Sequence, residues 1–280
     1  MSDFFSEYKE RIKCIDSYME KRFGEFKDCE DVIYDAMHYS VFNGGKRIRS
    51  VLCVETARML GADEDVALPF AMGIELIHAF SLVHDDLPCM DNADTRRSQP
   101  SCHKKFGETM ALLAGDALLN TAYEIMAAEC AKNAKAALAM QHIAKSAGVN
   151  GMINGQVRDL ELAENGNADE SKLIALIEQK TMALIMTGVM SGAYIAGADE
   201  KTLKKLEEFA YCIGMAFQIR DDFEDEEEDK NSEHAVPNFI NVLGRSKALE
   251  KMNYYSGKAI EIIDAFENNG FIKGLVEYLF

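Results

Sequence analysis

A chain of 280 residues, 48% hydrophobic and 28% charged, can bury a sizeable core and does not read as disordered. Its 47 acidic against 30 basic residues give a formal charge of -17. That balance repels phosphate backbones and anionic lipid, and so argues against nucleic acid or a membrane surface as partner.

Only four prolines occur, and Ala, Leu, Met, Glu and Lys outnumber the β-branched residues, which favours helix. Met1 to Lys13 is charged and lacks the apolar core of a signal peptide. Seven cysteines at irregular spacing, with no CxxC pair, predict reduced thiols in a cytoplasmic protein. Glycines at Gly44-Gly45, Gly61, Gly107, Gly148, Gly166, Gly197 and Gly244 leave segments of helix length between them. No linker and no fixed repeat divides the chain, so the expectation is an all-α fold in one domain, residues 1–280, of about ten or more helices.

Gly44-Gly45-Lys46-Arg47-Ile48-Arg49 is the first candidate site. Its glycines let backbone N–H groups approach an anion, and the helix start behind them favours negative charge. Phe70 to Val83 follows, apolar nearly all round and therefore internal, with His78 and Ser81 as its polar exceptions. No run of about 18 uninterrupted apolar residues occurs; Val66 to Val83 is broken by Pro69, Glu75 and His78, so no membrane span is expected.

Directly after this helix come Asp85-Asp86-Leu87-Pro88-Cys89-Met90-Asp91 and then Asp94. Carboxylates crowded at a helix C-terminus repel one another and oppose the helix dipole, and a hard divalent cation removes both problems. On a regular helix, at about 100° per residue, Asp91 would stand roughly 120° away from Asp85. Pro88 breaks that helix and lets the chain bulge, bringing Asp91 back. Arg96-Arg97 then lies where a loop reaches over the cluster, and an arginine fork matches phosphate oxygens.

Leu173 to Ala196 is the second apolar segment, with Lys180, Thr181 and Thr187 as polar exceptions. A second carboxylate cluster follows in Gln218 to Asp225, where Asp221 and Asp225 lie one helical turn apart. Asp221, Asp222 and Asp225 are the candidate ligands; Glu226 to Asp229 reads as a solvated acidic run. Two carboxylate clusters with metal, separate cations for a second anion and an apolar helix beneath imply a substrate with a hydrocarbon chain and a diphosphate head.

The string Asp85 to Asn92, with Arg96-Arg97 and Ala114-Gly115-Asp116 after it, resembles the first aspartate-rich region of the trans-isoprenyl diphosphate synthases. Gly44 to Arg49 resembles the family's N-terminal motif, with Ser50 where proline is usual. Gly155-Gln156-Val157-Arg158-Asp159, Lys180-Thr181 and Gln218 to Asp225 match in the expected order. The resemblance implies a helical bundle around a deep central cavity, a homodimer, and elongation of an allylic diphosphate by isopentenyl diphosphate. It implies that Asp85, Asp91 and Asp221 coordinate about three magnesium ions, with Asp86, Asp222 and Asp225 supporting. Arg96, Lys180 and Gln218 would hold the allylic diphosphate, and Lys46, Arg49, His78 and Arg97 the isopentenyl diphosphate. Thr181 would stabilise the allylic cation. Phe80 and Ser81 stand where the family sets product length, and Phe80 favours C15, with C10 and C20 as alternatives.

The resemblance breaks after the second cluster. Asp229 to Phe239 is several residues short, lacks the family's Gly-Lys step and has Val236 where a lysine is usual, leaving Lys230 as the substitute. A non-catalytic, regulatory subunit is the alternative this shortening suggests. A class I terpene cyclase would share the metal logic but would not need Lys46, Arg49 and Arg97.

Overall fold

The computed structural model describes residues 2–26, 28–165, 169–224 and 238–280. Among these, the chain forms fourteen α-helices, one π-helical turn and one two-stranded hairpin. The helices are α1 (Ser2–Phe23), α2 (Asp31–Phe42), α3 (Ile48–Met59), α4 (Glu64–Asp85), α5 (Cys102–Phe106), α6 (Glu108–Cys130), α7 (Ala136–Ala147) and α8 (Met152–Asn165). They continue with α9 (Glu170–Ile177), the π turn (Glu178–Met182), α10 (Ala183–Ala196), α11 (Glu200–Glu224), α12 (Phe239–Leu243), α13 (Arg245–Ile263) and α14 (Gly270–Leu279). Strands β1 (Thr95–Arg96) and β2 (Gln99–Pro100) pair antiparallel. The expected all-α class holds.

The core is built around α4. Asp63 caps its start by accepting from the Asp65 N–H at 3.0 Å, and Glu64 and Asp65 suit the positive end of the helix. From Pro69 to Ile77 the helix is buried on every side, with Phe70, Met72, Ile74, Leu76 and Ile77 fully enclosed. Helices α3, α6 and α10 pack against it. One apolar cluster draws side chains from Tyr8 to Val276, and a smaller one gathers Leu173, Met215, Phe239 and Ala248.

Helix α10 lies unusually close to α3 because Gly188 and Gly192 face it. A Cβ at Gly188 would sit 2.5 Å from the Arg49 carbonyl oxygen, and one at Gly192 would overlap the Cys53 carbonyl. Arg49 is thereby fixed relative to α10. Arg47, by contrast, is a scaffold residue. It is 6% exposed and donates to Asp16 (2.9 Å), Glu75 (3.1 Å) and the Val41 carbonyl (2.8 Å), tying α1, α2 and α4 to the start of α3.

One expectation needs revision. Leu173 to Ala196 is not one continuous α-helix, because the π turn interrupts it. Helix α4 and the run Glu170–Ala196 are also long and apolar enough, by length and composition, to cross a bilayer. The criterion of uninterrupted apolar residues passed over both, since Glu75 or Lys180 barely lowers a window average. In this fold 78% and 61% of those windows are buried inside the protein. All seven cysteines are free.

Candidate active site

The last turn of α4 delivers the first carboxylates to the edge of the core. The helix closes with the Asp86 N–H on the Leu82 carbonyl (3.0 Å), and Pro88 prevents continuation. The chain then doubles back: the Asp91 N–H donates to the Asp85 carbonyl at 2.9 Å, and Asn92, in the left-handed region at φ 48°, donates to Leu87 at 3.1 Å. Asp91 thus returns beside Asp85. Burial raises the Asp85 carboxyl to about 6, with Asp91 and Asp159 adding to the rise and Lys180 and Arg96 opposing it. Asp86 turns inward, 2% exposed, and accepts from Arg96 through Nε at 3.1 Å and through Nη2.

The hairpin after the cluster aims the arginines. Arg97 and Ser98 both have positive φ, 55° and 61°, as a two-residue turn between twisted strands requires. Neither residue advertises such a turn, and each left-handed residue costs about 1 kcal/mol. The turn sends Arg97 back to the loop before α3, where its Nη1 donates to the Gly44 carbonyl and its guanidinium packs against Gly45. Asn43 Nδ2 donates to the Arg96 carbonyl at 3.3 Å, a second tie between the two segments.

Arg49 projects from the first turn of α3 and donates from Nη1 to His78 Nε2 at 3.4 Å. Because a guanidinium only donates, that contact leaves the His78 proton on Nδ1. Burial, then the positive charges of Arg49, Arg97, Arg47 and Arg96, hold His78 well below its ordinary range, so the ring is neutral. Burial also lowers Arg49, partly offset by Glu75 and Asp221. Among the described residues, Arg49 Nε is buried without a hydrogen-bond partner. Lys46 is exposed and paired with Glu224 at 3.2 Å. Arg49, Arg97 and the neutral His78 therefore form a group rich in donors, while Lys46 is held by Glu224.

The third wall comes from the π turn. Its wider winding displaces Lys180 and Thr181 from the α-helical rows on either side, and π bulges of this kind recur at functional sites. Gly155 of α8 makes room for it: a Cβ there would lie 2.5 Å from the Lys180 backbone nitrogen. Asn154 Nδ2 donates to Gln179 Oε1 at 2.8 Å, and Lys180 Nζ forms an ion pair with Asp159. On α11, burial raises the Asp221 carboxyl, opposed by Arg220, whose Nη2 donates to it at 3.2 Å. Asp222 is buried. It accepts from Gln218 Nε2 at 2.8 Å and from the Phe239 N–H at 2.7 Å, fixing both the amide and the start of α12.

Two cavities meet at Lys180 and Thr181. One, of about 290 Å³, lies between Asp91 and Asp159 on one side and Gln218 and Asp222 on the other. The second, of about 380 Å³, runs from Arg49, His78 and Asp85 past Phe80 and Ser81 to apolar side chains of α8. Every expected site residue except Asp225 falls among the described residues; Asp225 and the shortened segment through Pro237 lie outside them. Asp159 and Glu224 were passed over as individual residues. The string Gly155 to Asp159 was the signal for Asp159; nothing distinguished Glu224 from the acidic run beside it.

Among the described residues, no three His, Cys, Asp or Glu side chains stand close enough to enclose a metal alone. The donors are all hard oxygens, and the raised Asp85 and Asp221 carboxyls are charges that a cation would relieve.

The polyprenyl synthetase family model matches residues 30–234. Farnesyl diphosphate synthase of Geobacillus stearothermophilus is 41% identical over 229 residues, covering 80% of this chain and 75% of that one. Geranylgeranyl pyrophosphate synthase 7 of Arabidopsis thaliana is 42% identical over 199 residues, 69% of this chain, which spans 56% of its length. The crystal structure of an FPP/GFPP synthase from Zymomonas mobilis superposes with TM-score 0.89 at 31% identity, covering 99% of this chain and 98% of that one. A geranyltransferase from Legionella pneumophila gives TM-score 0.90 at 28% identity, covering 99% and 97%. With the family model spanning most of the chain and the fold matching throughout, the protein belongs to the polyprenyl synthetase family of trans-prenyltransferases.

Proposed function

We propose that this chain condenses isopentenyl diphosphate with dimethylallyl or geranyl diphosphate and releases mainly the C15 product. One observation carries the reading: a carboxylate-walled cavity meets, at Lys180 and Thr181, an apolar cavity that Arg49 and His78 also line, with Arg97 close enough to act on His78. We read residues 1–280 as one synthase domain.

Asp85, Asp91 and Asp221 are the residues that would hold magnesium, with Asp225 a further candidate. When bound, magnesium would draw charge onto the diphosphate leaving group and favour its departure. The chain's residues do the rest. Lys180 and Gln218 reach the cavity between the clusters and would hold the allylic diphosphate there. Asp86 and Asp222 aim Arg96 and Gln218 and so act as positioning residues. Lys46, Arg49, Arg97 and the Nδ1–H of neutral His78 would hold isopentenyl diphosphate. Thr181 lines both cavities where they meet, and its hydroxyl would stabilise the allylic cation there. The double bond of isopentenyl diphosphate then attacks that cation, and the departed diphosphate takes the released proton.

Phe80, 8% exposed, stands in the cavity wall on α4 with Ser81 beside it. A bulky ring there supports termination at C15. A second copy of this chain is the expected partner, and Leu112 and Leu113, 46% and 48% exposed on α6, offer an apolar surface for it. The free thiols agree with a cytoplasmic setting.

The test is a product assay with labelled isopentenyl diphosphate and dimethylallyl, geranyl or farnesyl diphosphate, with magnesium and then with EDTA. Magnesium-dependent C15 product that stops there is expected, and Phe80→Ala should lengthen it. Diphosphate binding without elongation from any starter would overturn the reading.

A further inference from the structure

One side chain in the cavity wall has no role in the reaction as described. His84 sits one turn beyond Phe80 on the same face of α4, immediately before Asp85. Both residues line the larger cavity. Their rings meet edge to face, with centroids 5.4 Å apart and planes at 89°. On its far side the imidazole fills a notch in α6. Nε2 stands 3.1 Å from the Leu112 carbonyl oxygen and 4.0 Å from an Asp116 oxygen. Gly115 forms the notch floor, and a Cβ there would overlap the ring. The imidazole is therefore held at three places: by a carbonyl, by a missing side chain and by the edge of Phe80.

Side chains at i and i+4 meet on one face of a helix, so His84 limits the space open to the Phe80 ring. We propose that His84, seated in the Gly115 notch, is a positioning residue that braces Phe80 as the floor of the prenyl cavity and so sets where elongation stops. This rests on the elongation reading above. The nitrogen contact orients the ring, and the Nε2 proton is the one that can donate to Leu112. Volume does the bracing: with the imidazole gone, Phe80 can swing into the vacated notch and deepen the cavity.

The test uses the full chain and four variants, His84→Ala, His84→Phe, Gly115→Ala and the double variant His84→Ala/Gly115→Ala. Two quantities are read: the end-product length, and the ratio of affinities for farnesyl and geranylgeranyl diphosphate measured by calorimetry with magnesium. His84→Ala is expected to lengthen the product by at least one five-carbon unit. It should also move the affinity ratio towards the longer chain by about tenfold, the effect of burying one or two more methylenes. His84→Phe keeps a ring in the notch and should keep the parental length. Gly115→Ala drives the imidazole into the cavity and should shorten the product, and the double variant should fall back towards the parent. The proposal is overturned if His84→Ala leaves both length and affinity ratio unchanged, or if His84→Phe changes them as much as His84→Ala does. Should the unaltered chain make no prenyl product, the elongation reading fails while the affinity ratio still decides whether His84 sets cavity depth.

Discussion

Asp85→Asn should make the metal-free protein more stable while abolishing elongation. Burial lifts the Asp85 carboxyl from 3.8 to about 6, so the folded state binds its proton more tightly than the unfolded state does. At about 1.4 kcal/mol for each tenfold change in proton affinity, the charged form costs at most about 3 kcal/mol near neutrality. The carboxyl keeps some access to water, which brings the expected value to about 1.5 kcal/mol. The sign follows from linkage: the penalty is full above the folded value and absent below the unfolded one. Asparagine removes it, and Lys180 keeps its ion pair with Asp159. For a chain of this length, about 1.5 kcal/mol corresponds to a Tm increase of roughly 3 °C. Thermal melts in EDTA should show that gap at pH 7.5, about half of it at pH 5, about a fifth at pH 4 and almost none near pH 3. Magnesium should raise the Tm of the parent more than that of the variant. A gap at pH 4 as large as that at pH 7.5, or a variant less stable than the parent at pH 7.5, would refute the assignment of Asp85 as a buried, destabilising charge.

Arg47→Met leaves Glu75 and Asp16 without their shared partner; urea unfolding should show a loss of about 3–5 kcal/mol, and a loss below about 1 kcal/mol would contradict its scaffold role. Gly155→Ala forces a methyl against the Lys180 backbone. Steady-state kinetics should show kcat falling about 100-fold, as expected for a displacement near 1 Å, and an unchanged kcat would show that the π turn need not be held there. Gly45→Ala combines a strained φ of 122° with a methyl 3.0 Å from the Arg97 guanidinium. The KM for isopentenyl diphosphate should rise about tenfold with kcat changed less than about twofold; a kcat effect alone would place Arg97 elsewhere in the reaction.

What the sequence made legible was chemistry that depends on adjacency. Pro88 announced that Asp91 would leave the helix, and the return of its N–H to Asp85 is the physical form of that announcement. Acidic and basic residues set against an apolar helix announced the site because their charges need one another. What stayed hidden depends on distant packing. Nothing between Glu178 and Met182 marks a π turn, since Gly155, more than twenty residues earlier, makes the space for it. Arg97-Ser98 carries none of the usual hairpin residues, and its left-handed backbone is held by contacts to Gly44 and Gly45. Arg47 and Arg49 look alike in the motif, and only Asp16 and Glu75, brought in from α1 and α4, separate the scaffold arginine from the one facing the cavity. His84 attracted no notice because its meaning depends on what Gly115 lacks.

Helix α4 and the run from Glu170 to Ala196 have the length and apolarity of bilayer-spanning segments, yet they are enclosed by helices encoded before and after them. During synthesis α4 emerges while α6 and α10 are still unmade, so the growing chain carries an uncovered, membrane-like segment for much of its assembly. For this protein the dangerous interval is therefore birth rather than old age. A chain truncated after α4 keeps α3 but lacks α6 and α10 to cover that segment, and yield on refolding should fall steeply with concentration even where the finished fold is firm.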